Sequence, residues 1–214
     1  MNIQEVLKHN GKIYFNNRLI LFCKLAINIF TVIMTIKELY FIAIVPENEV
    51  LQQVEAIKID IKNKFGAKNA LKSPAHITLF PPFRVNNEIL KRVSQEISNA
   101  LNSFAPFKID LLNYSKFDNR VVYVDVVENS TLTELGATII TVMNNIINKQ
   151  QLEFKPHITL ATRDIPPQQF STLWHQLKQK EYCNSFTAKA ITIFKHNGKL
   201  WESFERIPLT LVSE

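Results

Sequence analysis

The chain has 214 residues, 46% of them hydrophobic, with 25 basic against 19 acidic side chains, a formal charge of +6 and a pI near 9.3. That length allows one domain with a sizeable core or two compact lobes around a cleft, and the charge favours polyanionic partners such as nucleic acid as a weak field effect. With only 4 glycines there is no Gly-rich phosphate loop. The two cysteines, Cys23 and Cys183, have neither metal-ligand nor disulfide spacing, so a reducing cytoplasm is the expected compartment.

Residues 19–36 form an apolar run interrupted by Lys24, Asn28, Thr31 and Thr35 and preceded by Lys8, Lys12 and Arg18. A membrane span takes about 20 mainly apolar residues, and Lys24 would have to snorkel. Two readings stay open: a membrane tether through 19–36, or an extension over 1–33 ahead of a domain at 34–214. The second is favoured, because residues 36–46 already read as a first core strand.

That strand, an apolar run ended by Pro46, is followed by Val50, Val54, Ile57, Ile61 and Phe65 at helical spacing, stopped by Gly66. A loop over 67–75 leads into a second strand. Asn87 then caps a helix with the stripe Leu90, Val93, Ile97 and Leu101. A hairpin with arms at 107–117 and 120–127 turns at Asp118 and Asn119. Thr131 and Glu134 form a capping-box pattern ahead of Leu135, Ile139, Val142 and Ile146. Another strand follows, then a helix begun by Pro166 and Pro167 and carrying Phe170, Leu173 and Leu177. The last hairpin turns at Asn197 and Gly198, a type I′ signal. Each half reads helix, strand, helix, hairpin, which predicts one lobe over about 47–127 and another over about 128–209. The strand at 37–46 completes the fold.

The four residues His-Ile-Thr-Leu occur twice, at His76-Ile77-Thr78-Leu79 and His157-Ile158-Thr159-Leu160. Successive side chains of a strand alternate faces, so each His shares a face with its Thr, roughly 6–7 Å along the strand, while Ile and Leu face the packing side. One such histidine is usually structural. Two copies, each beside a hydroxyl and about one lobe apart, are hard to attribute to packing and predict paired imidazole chemistry. Arg163 has the parity of His157 and Thr159, so on a regular strand it faces the same cleft and can contact phosphate; its alternative is a strand-end surface arginine. Phe80 has the parity of His76, with a core role favoured over base stacking. Tyr114, Phe117 and Trp201 stay open. His9, His175 and His196 lack the motif context, and no carboxylate or cysteine pattern extends the two histidines into a metal site.

These two motifs resemble the His-x-Thr-hydrophobic signature of the two-histidine phosphoesterase superfamily, which includes RNA 2′,3′-cyclic phosphodiesterases, also called 2′-5′ RNA ligases. The similarity in element order covers about residues 36–209. It implies an α+β, bilobal, pseudo-twofold fold, with two antiparallel sheets facing across a central cleft and helices outside. It further implies a metal-free enzyme opening the 2′,3′-cyclic phosphate of RNA or a nucleotide, with ligation a minor reverse activity; no cofactor or protein partner is implied, and a monomer is expected. By that analogy His76 is the general acid, His157 the general base, and Thr78 and Thr159 hold the phosphate oxygens; the sequence itself does not decide which histidine takes which role. The continuation Phe80-Pro81-Pro82-Phe83-Arg84 departs from the RNA-processing members and looks like a less characterised branch. A proline pair is expected to end strand pairing early. The departure leaves RNA, small cyclic nucleotides and other phosphoesters open, and it makes an RNA-end or nucleotide-binding module with little catalytic activity the alternative.

Overall fold

The computed structural model describes residues 8–9, 12–13, 36–148 and 153–210. The expected extension over 1–33 and the apolar run at 19–36 therefore lie largely outside the described residues. Among those described, no helix is long and apolar enough to cross a membrane. Two short strands, β1 (Lys8–His9) and β2 (Lys12–Ile13), pair only with each other. The remaining elements run β3 (Glu38–Ile44), α1 (Asn48–Phe65), β4 (Ile77–Val85), α2 (Asn87–Leu101), β5 (Phe107–Phe117), β6 (Val121–Val126) and α3 (Ser130–Ile147). They continue with β7 (His157–Thr162), α4 (Pro167–Leu177), β8 (Cys183–Ala188), β9 (Ala190–His196) and β10 (Trp201–Pro208).

The α+β class holds, but the expected two facing sheets do not. The strands form a single eight-stranded sheet in the order β10-β9-β3-β4-β7-β6-β5-β8, with antiparallel pairing throughout. The two motif strands, β4 and β7, are neighbours at its centre, joined by the register Ile77↔Ile158. The hairpin that follows the first motif in the chain pairs with the second motif strand, while β9 and β10 extend from β3. The halves of the sheet are thus not contiguous in sequence.

Alternation along the strands divides the sheet into two faces. Tyr40, Ile42, Ile44, Ile77, Leu79, Ile158, Leu160, Ile191 and Ile193 point into one core with the stripes of α1, α2, α3 and α4. Phe41, Ala43 and Phe194 form a separate small cluster, with Val45 and Trp201 packed on it. On α2 the stripe Leu90, Val93, Ile97, Leu101 is buried as expected, each side chain contributing roughly 1.5–3 kcal/mol. Its cap is Asn86, not Asn87: the Asn86 side chain accepts the Ile89 N–H at 3.0 Å. The capping box at Thr131 is likewise displaced, because Asn129 lies just upstream and accepts the Leu132 N–H at 2.9 Å.

The last hairpin closes through four residues rather than a two-residue type I′ turn. Asn197 Oδ1 accepts the N–H groups of Lys199 and Leu200, and only Gly198, at φ 98°, is left-handed, whereas type I′ needs two such residues. Edge strand β8 has no counterpart in the sequence-based expectation.

Candidate functional site: paired histidines on adjacent strands

Ile77 and Ile158 are both fully buried in the helix-covered core, so their chain neighbours face the other way. Carrying the antiparallel register of Ile77↔Ile158 one residue in each direction sets His76 opposite Thr159 and Thr78 opposite His157. The four side chains therefore form a square on the open face. Directly opposed Cβ atoms stand about 4.5–5.5 Å apart and the His–His diagonal roughly 7–8 Å, wide enough for a tetrahedral phosphorus between them. The two sequence-predicted pairs are brought to adjacent strands, with each histidine set by the register on the side of the other motif's threonine.

The two imidazoles are held by the same device. His76 Nδ1 lies 2.7 Å from the Pro74 carbonyl and His157 Nδ1 lies 2.7 Å from the Lys155 carbonyl, each two residues upstream. A carbonyl only accepts, so Nδ1 carries the proton and Nε2 is the free, basic nitrogen. Aromatic rings fix the planes: Phe41 at 4.8 Å from His76, and Phe117 and Tyr123 at 4.9 and 5.0 Å from His157.

Their electrostatics differ. Burial pushes His76 down to about 4, against the favourable carbonyl contact, with the charges of Lys58 and His157 lowering it further. Burial also lowers His157, but there the Lys155 carbonyl and the Asp125 carboxylate oppose it, Asp125 lying directly across from His157 on β6.

Bulges follow each motif. The register slips between Ile42↔Phe80 and Ala43↔Thr78, and between Val122↔Ala161 and Tyr123↔Thr159. Leu79 and Phe80 are both buried as a result, so Phe80 belongs to the core, as do Leu160 and Ala161. Pro81 and Pro82 do not end β4. They sit in a further bulge opposite Phe41, and pairing resumes from Tyr40↔Phe83 to Glu38↔Val85.

Arg163 does not reach the groove on a regular strand, because β7 ends at Thr162. Arg163 instead turns left-handed, at φ 59°, with its N–H donating to the Arg120 carbonyl at 2.8 Å. It still lines the same groove of about 500 Å³ as His157, Thr159, Asn69, Lys72 and Trp201.

Of the open aromatics, Phe117 and Trp201 border the site, while Tyr114 packs toward the helix-covered core. His175 is exposed on α4, and His196 lies 4.8 Å from Trp201 at the rim. Sequence reasoning missed Lys58, Glu55 and Asp125. Lys58 carried a signal: it is in helical step with Val50, Val54 and Ile61, and all four are buried. Asp125 lies in an otherwise apolar strand and carried none. Among the described residues, no group of three or more His, Cys, Asp or Glu side chains forms a metal-ligand set.

The family model described as the 2′-5′ RNA ligase superfamily matches residues 46–200. An RNA 2′,3′-cyclic phosphodiesterase of Archaeoglobus fulgidus is 27% identical over 125 residues, 56% of this chain and 70% of that protein. A candidate phosphoesterase of Geobacillus kaustophilus is 28% identical over 110 residues; the match takes in 50% of this chain and 62% of the relative, less than two thirds of its length. E. coli LigT complexed with 3′-AMP superposes with a TM-score of 0.61 at 18% identity, covering 82% of this chain and 99% of that one. TT0787 of Thermus thermophilus gives 0.56 at 17% identity, with 82% and 99% covered. These structures share the fold.

Proposed function

Because this chain belongs to the 2′-5′ RNA ligase superfamily, we propose that its four-residue square opens the 2′,3′-cyclic phosphate of RNA or a nucleotide to a phosphomonoester, by acid/base catalysis without a metal. The observation that carries this reading is the placement of His76 and His157 beside the Ile77↔Ile158 pair on neighbouring strands, each imidazole fixed by an Nδ1–carbonyl bond that leaves Nε2 as its basic nitrogen. The Archaeoglobus relative supports the substrate class by its name.

In the hydrolytic direction, one imidazole takes a proton from water as its oxygen bonds to phosphorus. The other gives a proton to the ribose oxygen as its bond to phosphorus breaks. Thr78, Thr159 and Arg163 hold the non-bridging oxygens, on which charge accumulates. The base must be neutral before attack, and His76, buried with an ammonium behind it, meets that need. The acid must carry a proton, and at His157 the Asp125 carboxylate across the strand pair opposes the lowering by burial. This makes His76 the base and His157 the acid, the reverse of the assignment implied by resemblance. The same pair run backwards gives 2′-5′ ligation, minor in water.

The test is the full chain with a short RNA ending in a 2′,3′-cyclic phosphate and no added metal. Conversion is expected to fall about 10²–10⁴-fold in His76→Ala and in His157→Ala. Near-wild-type turnover in either variant overturns the reading. A folded wild type that binds the RNA end in a salt-sensitive way without converting it identifies a binding module instead.

A further inference from the structure

From the contacts behind the first motif, we infer that Lys58 and Glu55 of α1 are positioning residues for His76: an ion pair between a buried lysine and a half-buried glutamate that clamps the 73–75 loop and sets the base's orientation and charge environment. The inference rests on the proposed role of His76.

Three consecutive residues ahead of His76 are each engaged. Lys58 Nζ donates to the Ser73 carbonyl at 2.8 Å and to Glu55 Oε1 at 2.8 Å. The same Glu55 oxygen accepts the Ala75 N–H at 2.6 Å. Between them, the Pro74 carbonyl accepts from His76 Nδ1 at 2.7 Å. Ser73, Pro74 and Ala75 thus cannot shift without breaking a bond to the pair or to the imidazole.

Lys58 has a side chain only 1% exposed. A lysine in that position is costly, and replacing a buried ion pair with apolar residues is often neutral or stabilising. Stability alone gives no reason for it to occupy a slot in the stripe of Val50, Val54 and Ile61. Its contacts do, because they fix the loop, and its charge disfavours an imidazolium at His76. His157 on the neighbouring strand is the other titratable group acting on His76, and the Glu55 carboxylate keeps Lys58 charged against the burial that lowers its own pKa. The second motif uses a different arrangement: Lys155, whose carbonyl holds His157, has an exposed side chain paired with Glu153.

The test compares full-length wild type, Lys58→Met, Glu55→Gln and the exposed control Lys64→Met. It follows the His76 ring by NMR titration, assigned with His76→Gln, alongside kcat and KM on the cyclic-phosphate RNA. In Lys58→Met the His76 midpoint should rise and kcat fall about 10–10²-fold with KM little changed, as expected when a reacting group is misaligned. Glu55→Gln, which keeps an acceptor for Ala75, should retain more activity than Lys58→Met, and Lys64→Met should match wild type. Variants that lose thermal stability while the His76 midpoint and kcat stay at wild-type values overturn the inference, since that pattern is merely structural. If Lys58→Met does not fold, Glu55→Gln decides by the same two readouts. Should wild type fail to convert the RNA, the functional proposal falls, while the titration still reports whether the pair governs His76.

Discussion

The approach to His76 is clamped by an ion pair reaching from α1 through a buried lysine, whereas the approach to His157 rests on an aromatic ring and an exposed carboxylate. Phe154, two residues before Pro156, lies so close to Gly136 of α3 that a Cβ there would come within 2.6 Å of the ring. Asp125 then faces His157 from the next strand. The histidines have the same bond at Nδ1 and the same bulge downstream, so the motif itself is duplicated. What differs is everything behind it. Duplication supplies two similar imidazoles, and the supports give them different electrostatic surroundings, on which the proposed division into base and acid rests.

The sharpest way to break this comparison is to change the leaving group. On a cyclic phosphate both His→Ala variants lose about 10²–10⁴-fold. On a nucleotide diester of 4-nitrophenol the departing phenolate needs no proton, so the loss in His157→Ala should shrink below about tenfold while that in His76→Ala persists. Measured kcat/KM for the two variants on the two substrates gives the answer. A shrinking loss in His76→Ala instead restores the assignment made by resemblance.

Next in size is an effect on stability. An unfolded imidazole binds its proton near pH 6.5, but folded His76 does so only near 4. Between those values the unfolded chain holds more protons, so acid favours unfolding. The stabilising contribution of neutral His76 is complete above about pH 6.5 and is lost as pH falls toward 4, a change of about 3 kcal/mol. Urea midpoints followed from pH 7 to 4 should fall more steeply in wild type than in His76→Gln; parallel slopes would show that burial does not penalise the imidazolium.

Gly136→Ala probes the other wall. The added methyl meets Phe154, and overpacking of this kind costs about 1–3 kcal/mol by chemical denaturation. Since Phe154 leads into Lys155 and His157, the variant should disturb the His157 ring resonances and leave the His76 titration in place. Lys58→Met should do the reverse.

This division also explains what was legible in the sequence. Helices α1 to α4 and the motif strands could be read because period and repeat are carried by residue type: Leu90, Val93, Ile97 and Leu101 cannot face water, and His-Ile-Thr-Leu is recognisable twice. The single sheet could not be read, since nothing in β5 or β6 says that they pair with β7 rather than β4. Nor could the bulges, which turn Phe80 into the core that was its favoured place despite its parity with His76, and carry β4 past its prolines: a slip of one residue leaves no mark on composition. Lys58 was passed over because a charged residue in a stripe reads as a solvated one, although its step with Val50 and Val54 pointed inward. Its partners, 15 and 20 residues away in the chain, become visible only once the loop is folded back.

The smallest predicted effect lies where the motif strands part company. β4 runs on to Val85, but β7 stops at Thr162 and Arg163 turns left-handed to reach the groove. A non-glycine residue in that region costs roughly 1–2 kcal/mol. Arg163→Ala keeps the strain and removes the guanidinium, whereas Arg163→Gly removes both. If the turn exists to aim a phosphate contact, KM for the cyclic-phosphate RNA should rise about tenfold in both variants, the worth of one charge-assisted hydrogen bond. The glycine variant should be the more stable of the two by about 1 kcal/mol. Equal stabilities would show that the turn is unstrained, and an unchanged KM would show that Arg163 is a surface residue at a strand end. With both effects present, the second wall trades backbone comfort for phosphate contact, as the first trades an apolar slot for the ammonium of Lys58.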